Sequence, residues 1–244
     1  MVKFKRAPTT QWKSLLTEAI SAGKLQLMFY PVVGSGGEVL HQEGMIRLMP
    51  DDSGSVLTAA EFMPVAAHLH LTGPLDMSVV RLAIEHLASV REDVAINLSP
   101  STLNDWGFHH ELVSLLKRDP ELCHRLWFEV PEHGALAHFD AFRSLCEQLK
   151  QLGCHVGVEQ FELQLAESRK LTELGLDYVK LPPGLLANLQ DNPGNREYLQ
   201  RFCSVVHGLG ITVIAVGLQS DGDWEELKKL GIDAATGPGI RLSN

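Results

Sequence analysis

Short apolar runs alternate along the chain with longer segments whose apolar positions follow a helical period. The runs predict eight β-strands, at 25–33, 39–48, 94–98, 126–130, 155–158, 178–181, 212–216 and 233–236. The segments around them predict eight helices, at 10–22, 59–67, 75–90, 101–117, 135–152, 163–174, 194–208 and 222–230. Only the first two strands lack an intervening helix, and the short connection Gly34-Ser35-Gly36-Gly37 predicts an antiparallel hairpin, because parallel strands need a long crossover.

This order of elements predicts an α/β fold, a (β/α)8 TIM-like barrel with an antiparallel first strand. We expect a linker or head at 1–10, followed by a single barrel domain at 11–244. An open doubly wound sheet is the main alternative. No GxGxxG or GxxxxGK[ST] loop follows any predicted strand, which argues against nucleotide binding of those two kinds.

Composition excludes several classes of protein. With 21 Lys and Arg against 30 Asp and Glu, the formal charge is −9, which argues against a broad basic surface for nucleic acid. The 4 cysteines form no CxxC pair, so the sequence predicts neither a zinc knuckle nor a disulfide framework, and a reducing compartment fits best. No apolar run reaches the roughly 20 residues that span a bilayer, and no signal peptide is expected.

The candidate chemistry lies where the predicted strands end, because the active sites of such barrels are built at the carboxyl ends of the strands. Three carboxylates, an amide and one lysine are expected to converge there. The residues at these ends are Glu43, Arg47, Asn97, Ser99, Glu129, Glu132, Glu159, Gln160, Lys180, Val216, Gln219, Thr236 and Gly237.

Each of these positions also has a local interpretation. Asn97-Leu98-Ser99-Pro100 fits a helix start with Ser99 as N-cap, and the two roles are compatible. Taken alone, Glu129 and Glu132 fit solvated loop acids. Lys180 is expected to pair with Glu129 or Glu159, in place of a metal ion.

The histidines and one tryptophan are expected to be structural. His109, His110, His133 and His138 are predicted in loops or on helix surfaces, with no metal bound through histidine. Trp224 is expected to pack on the barrel rather than to stack on RNA bases.

The strand-end residues resemble the motifs of the EAL family of cyclic di-GMP phosphodiesterases, in order and over nearly the whole chain. The E-A-L-x-R motif falls on Glu43-Gly44-Met45-Ile46-Arg47, N-x-S on Asn97-Leu98-Ser99 and E-x-x-E on Glu129-Val130-Pro131-Glu132. Further motifs follow. D-D-F-G falls on Glu159-Gln160-Phe161-Glu162, the family lysine on Lys180, A-E-G-V-E on Ala215-Val216-Gly217-Leu218-Gln219 and Q-G on Thr236-Gly237.

The resemblance implies hydrolysis with two divalent cations, Mg²⁺ or Mn²⁺, but acids are missing at three family positions. Gln160, Val216 and Gln219 stand there, and an aliphatic side chain at 216 neither binds metal nor transfers a proton. We therefore expect no catalytic residues, no cofactor and no useful hydrolysis.

Remnants of the family site are nevertheless present. They are Glu43, Asn97, Glu129, Glu159 and Lys180, of which the first four would hold a metal if residual activity remained. Dinucleotide binding is weakened by Tyr30, Glu162, Gln164 and Thr236 at family ligand positions. Any ligand bound would meet Arg47, Glu43, Lys180 and Phe161.

A closer resemblance is to the CsrD-like EAL domains. It rests on Trp12 ahead of Leu15-Leu16, His41-x-Glu43-x-Met45-x-Arg47, Ala60-Glu61-Phe62-Met63-Pro64, Lys180-Leu181-x-Pro183-Gly184-Leu185 and Ala215-x-Gly217-Leu218-x-Ser220-x-x-Asp223-Trp224. It implies a cytoplasmic, non-catalytic domain of a larger inner-membrane-anchored protein that regulates small-RNA decay. The implied partners are the glucose-specific enzyme IIA of the phosphotransferase system and the RNase E machinery. Homodimerisation is left open, and the alternatives are a non-hydrolysing cyclic di-GMP receptor and a residual phosphodiesterase.

Overall fold

The computed structural model describes residues 8–50, 55–162, 172–186 and 193–240, and these form a closed eight-stranded barrel surrounded by helices. The barrel strands are β1 (Leu25–Gly34), β2 (Val39–Leu48), β4 (Val94–Asn97), β5 (Leu126–Pro131), β6 (His155–Glu159), β7 (Tyr178–Leu181), β8 (Thr212–Val216) and β9 (Ala234–Thr236). A two-residue strand that the sequence pattern did not predict, β3 (Leu57–Thr58), pairs with the end of β2 outside the barrel.

The helices lie between the strands on the outside of the barrel. They are α1 (Thr9–Ser21), α2 (Ala59–His68), α3 (Thr72–Leu87), α4 (Trp106–Leu116), α5 (Pro120–Cys123), α6 (Glu132–Ala137), α7 (Phe139–Gln151), α8 (Pro183–Leu186), α9 (Pro193–Gly208) and α10 (Asp221–Lys229), with a 3₁₀ helix at Pro100–Asn104. In the part of the chain that the structure describes, no helix combines the length and the hydropathy needed to cross a membrane.

The strand order confirms the predicted architecture. Around the barrel the strands run β1, β9, β8, β7, β6, β5, β4 and β2, and pairing of β1 with β2 closes the ring. β1 is antiparallel to both of its neighbours, whereas the other neighbouring strands of the ring are parallel. The glycine connection thus forms the expected hairpin.

Two predicted helices are each divided, and a third is largely outside the described residues. The segment predicted as one helix at 101–117 contains the 3₁₀ turn and then α4, which restarts where the Asp105 carboxylate accepts a hydrogen bond from the Phe108 N–H at 3.0 Å. The helix predicted at 135–152 breaks at His138, whose φ of −125° and ψ of 41° are not helical. Most of the helix predicted at 163–174, and residues 1–7 of the predicted linker, lie outside the described residues.

Side chains alternate between the barrel interior and the helical layer. The interior holds an apolar cluster of Val32, Ala95, Trp127, Tyr178, Ile214 and Ala234, whereas the alternate positions face the surrounding helices and their larger core. This alternation fixes which strand-end residues point into the mouth of the barrel.

Two aspartates, each just before a strand, form hydrogen bonds to neighbouring strands at the amino end of the barrel. Asp177 precedes β7 and accepts a hydrogen bond from the Val156 N–H at 2.8 Å, and Asp233 precedes β9 and accepts one from the Val213 N–H at 2.7 Å. Each carboxylate also lies beside a cation or imidazole, Lys150 for Asp177 and His207 for Asp233. The amino end of the barrel is therefore held by side chains as well as by the sheet.

Candidate functional site

Strand register brings the predicted acids together at the carboxyl end of the barrel. Asn97 lies opposite Glu129 on the neighbouring strand, and Pro131 lies opposite Glu159. Because interior positions alternate along each strand, Glu43, Glu129 and Glu159 all reach the same space. One carboxylate oxygen from each lies within 4.8 Å of the others, which is close enough to share a single cation.

Lys180 bridges two of the three acids of this cluster. Its Nζ lies 2.6 Å from Glu129 Oε1 and 3.1 Å from Glu43 Oε2, and its side chain is 1% exposed. The expected pairing with Glu129 is present, but the second partner is Glu43 rather than Glu159. Tyr178 Oη donates a further hydrogen bond to Glu129 Oε1 at 2.9 Å. The buried ammonium is thus held by two carboxylates on different strands.

The electrostatics of this group favour charged Lys180. Burial lowers the pKa of Lys180, but the carboxylates of Glu129 and Glu43 outweigh that effect and leave the pKa above its usual value. Burial raises the pKa of Glu129, and the attraction of Lys180 offsets only part of this rise. Lys180 therefore carries a positive charge that offsets the negative charge of Glu129 and Glu43.

Asn97 and Glu159 form the edge of the cluster. With its carboxamide nitrogen directed at Glu159, Asn97 donates to the two carboxylate oxygens at 3.3 and 3.2 Å. Burial, followed by the charge of Glu129, raises the pKa of Glu159 to about 7. This carboxyl group therefore changes charge near neutrality.

Asp76 is a buried acid that the sequence analysis missed. It lies on α3, 2% exposed, and accepts hydrogen bonds from Ser99 N at 2.7 Å, Ser99 Oγ at 2.9 Å and Thr102 Oγ1 at 3.1 Å. Burial nevertheless raises its pKa to about 7. Asp76 anchors the segment just after Asn97, and it explains why Ser99, although at the N-cap of the 3₁₀ helix, does not cap it with its side chain. The signal in the sequence was an acid among the apolar positions of a helix.

The residues at the three altered family positions offer no carboxylate. Val216 ends β8 at an interior position opposite Thr236, and Gln219 donates from Nε2 to the Gly217 carbonyl at 2.8 Å. Gln160 follows Glu159 with a φ of 54°, in the left-handed region. Oxygen donors suit one Mg²⁺ or Mn²⁺ at Glu43, Glu129 and Glu159, but Val216, Gln160 and Gln219 supply no charged donor for a second ion.

The backbone at Gln160 predicts a stabilising substitution. Placing a residue that has a Cβ in the left-handed region costs the folded state about 1 kcal/mol relative to the right-handed region. Gln160→Gly is therefore expected to raise the free energy of unfolding by about 1 kcal/mol in urea denaturation. Gln148→Gly, inside α7, is the control, since it should lower the same quantity by about 1 kcal/mol. Equal losses in both variants would contradict a strained Gln160.

The predicted ligand residues outside the cluster lie in different environments. Arg47 Nη2 donates to Tyr30 Oη at 3.2 Å, and its guanidinium carbon is 6.0 Å from the centre of the Tyr30 ring, which is 40% exposed. Arg47 Nη1 donates to the Ile46 carbonyl. Phe161 is buried against Phe202 with ring centres 5.7 Å apart, so it adds no exposed surface to the site.

Three local interpretations from the sequence need comment. Glu129 and Glu132 are buried, at 0% and 8% exposure, so their reading as solvated loop acids is wrong. The cause is packing at the barrel mouth, where Glu132 Oε2 accepts a hydrogen bond from the Glu162 N–H at 3.0 Å.

His109 is also buried, because it lies on the inner side of α4 with Leu112 and Leu116. Trp224 packs against the core, as expected.

A buried histidine beneath the cluster gives stability a pH dependence. His41 is 0% exposed, lies 4.6 Å from Trp127 between ring centres, and has a pKa well below 6.5 because of burial first and then Lys180 and His155. Below pH 6.5 the unfolded chain binds a proton that the folded chain does not, so stability falls as pH falls.

We expect His41 to cost up to about 1.4 kcal/mol of stability for each pH unit below its unfolded pKa. In urea denaturation between pH 7 and pH 5, His41→Phe should lack this loss, whereas His110→Phe, at an exposed position of α4, should retain it. Parallel curves for His41→Phe and the unaltered chain would contradict the assignment.

Comparison with known proteins places this geometry in a family. The EAL domain profile matches residues 14–241. The chain is 25% identical over 227 residues to the cyclic di-GMP phosphodiesterase PdeF of Escherichia coli K12, covering 91% of this chain and 30% of PdeF. It is 26% identical over 233 residues to the RNase E specificity factor CsrD of the same organism, covering 93% of this chain and 35% of CsrD. The chain thus spans about a third of the length of these curated relatives.

Solved structures agree on the fold. The FimX EAL domain of Pseudomonas aeruginosa, solved with cyclic di-GMP, superposes with a TM-score of 0.85 at 23% identity, covering 93% of each chain. The S helix-GGDEF-EAL chain of Vibrio cholerae LapD, bound to cyclic di-GMP, gives a TM-score of 0.86 at 22% identity, covering 95% of this chain and 57% of that chain. The antiparallel first strand, the ordered strand-end motifs and the family match together show that the chain belongs to the EAL domain family.

Proposed function

We propose that this EAL domain does not hydrolyse cyclic di-GMP and acts as a signalling and protein-interaction module in the regulation of small-RNA decay, as part of a longer protein. The observation that carries the proposal is Val216, which stands at the interior end of β8 where the family motif has an acid. The remaining acids Glu43 and Glu129 are paired with the buried ammonium of Lys180.

The loss of acids at neighbouring positions supports the same proposal. Two-metal hydrolysis requires carboxylates that hold both ions and a group that accepts the proton of the attacking water. The interior position at the end of β8 is Val216, which does neither. Gln160 and Gln219 are neutral amides, and the latter is bonded to its own loop. A single metal ion bound by the three glutamates would lack the second metal ion that two-metal hydrolysis uses.

The regulatory part of the proposal follows from resemblance. The chain is as similar to CsrD, named an RNase E specificity factor, as it is to PdeF, named a cyclic di-GMP phosphodiesterase. The altered acids favour the relative that is not named a phosphodiesterase. A net charge of −9 suits contact with proteins better than with RNA, so we place any RNA contact elsewhere in the longer protein.

The partner that this proposal assigns is the glucose-specific enzyme IIA of the phosphotransferase system. The test is binding of purified enzyme IIA to this domain by calorimetry, with the partner in its unphosphorylated and phosphorylated states. Preference for the unphosphorylated state is the expected result. Equal binding to both states, or none, would contradict the partner assignment.

A second candidate function is a cyclic di-GMP receptor, and Arg47 is the observation that favours it. Its guanidinium lies at the barrel mouth, and within the described ranges it forms hydrogen bonds only to neutral oxygens. Guanidinium groups recognise phosphate well. Micromolar binding of cyclic di-GMP that is lost in Arg47→Ala would support the receptor. Absence of binding at high ligand concentration would remove it.

A further inference from the structure

Two of the cysteines are neighbours at the amino end of the barrel. Cys123 ends α5 just before β5, and Cys154 directly precedes β6. Because β5 and β6 are adjacent parallel strands, their amino ends lie together, with Trp127 opposite His155. The two thiols interact with each other in the folded chain. No CxxC spacing marks this pair, so only the fold brings the two sulfur atoms together.

Hydrogen bonds position both cysteines. Cys123 Sγ donates to the Leu116 carbonyl at 3.5 Å, at the end of α4, and to the Asp119 carbonyl at 3.8 Å. The Cys154 N–H donates to the Leu149 carbonyl at 3.0 Å, in the last turns of α7. The side chain of Cys123 and the backbone of Cys154 are therefore both held in place beside each other.

Burial protects the pair while the fold is closed. Both cysteines are 1% exposed. Burial raises the pKa of both thiols, which keeps them protonated and slow to react. However, α5 has only 4 residues, and residues 117–121 and His124 around Cys123 are exposed. Opening of this short helix requires only local unfolding, and it brings Cys123 into contact with solvent.

The other two cysteines provide an internal comparison. Cys146 on α7 and Cys203 on α9 are also buried, at 0% and 1% exposure. The charged groups near them are Asp177 for Cys146 and Asp233 for Cys203, and in the described part of the chain neither thiol interacts with a second thiol. An oxidised sulfur at either position would lack a neighbouring thiol to react with.

We propose that Cys123 and Cys154 form an oxidisable pair, which hydrogen peroxide converts into a reversible disulfide between α5 and the start of β6. Cys123 reacts first because it lies in the short helix that opens. In addition, the Cys154 side chain offsets part of the rise that burial causes in the pKa of Cys123. Cys154 then closes the bond.

Each step of this oxidation balances. The Cys123 thiolate attacks one oxygen of the peroxide, so an S–O bond forms, the O–O bond breaks, and the leaving hydroxide takes up the thiol proton to become water. The Cys154 sulfur then attacks the sulfur of the sulfenic acid, so the S–S bond forms, the S–O bond breaks and a second water leaves. Two thiols are oxidised and one peroxide is reduced. Two molecules of a thiol reductant reverse the change and are themselves oxidised to a disulfide.

The test is treatment of the folded chain with millimolar hydrogen peroxide at pH 7, followed by alkylation of the remaining thiols in denaturant and mass spectrometry. We expect two of the 4 cysteines to escape alkylation, and a peptide pair joined through Cys123 and Cys154. Peroxide treatment in urea is the matched control, in which pairs with Cys146 and Cys203 should also form. Alkylation of all the cysteines in the treated folded chain, or the same mixture of pairs as in urea, would overturn the proposal.

Variants test the order of the two steps. Cys154→Ala should leave Cys123 as a sulfenic acid that dimedone labels, whereas Cys146→Ala, at another buried position, should leave the disulfide unchanged. Dimedone labelling of Cys203 rather than Cys123 in Cys154→Ala would contradict this order. If Cys154→Ala does not fold, the peptide map of the unaltered chain still decides whether the pair forms.

Thermal denaturation tests whether the native fold accommodates the bond. The disulfide would close a loop that contains α6 and α7, which restricts the unfolded chain. The oxidised chain is therefore expected to unfold at a temperature about 5 °C higher, and dithiothreitol should abolish the difference. A lower unfolding temperature after oxidation would show that the bond distorts the fold and would contradict the proposal.

Discussion

Replacing Lys180 with methionine is expected to lower the free energy of unfolding by about 3–5 kcal/mol at pH 7, because removing one partner leaves buried charge without compensation. Lys180 Nζ lies 2.6 Å from Glu129 Oε1 and 3.1 Å from Glu43 Oε2, and all three side chains are almost fully buried. Without the ammonium, the two carboxylates repel each other in a space closed to water. Urea denaturation of the purified domain measures the change.

The exposed pair of Lys229 and Glu226 provides a matched control. Its contact distance is also 2.6 Å, but the lysine side chain is 66% exposed, so Lys229→Met should cost less than about 1 kcal/mol. Lys180→Met should recover stability as pH falls, because the folded protein then takes up protons on the unpaired carboxylates. Adding Glu129→Gln to Lys180→Met should also restore part of the loss. Equal costs for the two lysine variants would contradict a buried ion pair.

Replacing Gly157 with alanine is expected to lower the free energy of unfolding by about 3 kcal/mol, at the upper end of overpacking effects. A Cβ at this position would lie 2.4 Å from Tyr178 Cζ and 2.5 Å from Cε2. The Tyr178 ring is fully buried in the barrel interior, and its hydroxyl is bonded to Glu129, so it cannot move aside without breaking that contact. Thermal and urea denaturation would both report the loss.

Two further variants separate the clash from a general effect of alanine. Gly208→Ala, at the end of α9, meets no atom within 4 Å and should be neutral or slightly stabilising. Tyr178→Leu removes the ring atoms that the new Cβ would meet, so in a double-mutant cycle Gly157→Ala should cost much less in its presence. Additive costs would show that the ring is not what Gly157 accommodates.

The barrel could be predicted from the sequence because its determinants are local. Each of the eight barrel strands is a short apolar run, and the glycine connection after Gly34 fixes the direction of the first. Active sites of such barrels are built at the carboxyl ends of the strands, and this rule alone predicted that Glu43, Glu129 and Glu159 lie together. The apolar period predicted one continuous helix across Asp105, where the structure has two. The prediction was wrong because a hydrogen bond from the backbone to the Asp105 carboxylate starts a new helix there.

The parts of the site that could not be predicted depend on tertiary packing. Asp76 is far from Ser99 in the chain, and only the packing of α3 on the end of β4 brings them within hydrogen-bond distance. The choice of Glu43 over Glu159 as the second partner of Lys180 reflects side-chain reach inside the barrel. The left-handed conformation of Gln160 has no signal in its residue type, since glycine or asparagine would be expected there.

Three altered side chains at the barrel mouth support the proposal that this domain does not hydrolyse cyclic di-GMP. The aliphatic side chain of Val216 at the end of β8 offers neither a metal ligand nor a proton acceptor, and Gln160 and Gln219 are neutral where the family motifs have acids. The pairing of Lys180 with Glu129 and Glu43 holds the remaining acids in one buried cluster.

The measurement that tests this account most directly is turnover of cyclic di-GMP by the purified domain with saturating Mg²⁺ or Mn²⁺, at high protein concentration and over hours. The account predicts no linear dinucleotide above the level without protein, and the same result for Glu43→Ala. Metal-dependent turnover that disappears in Glu43→Ala would contradict it.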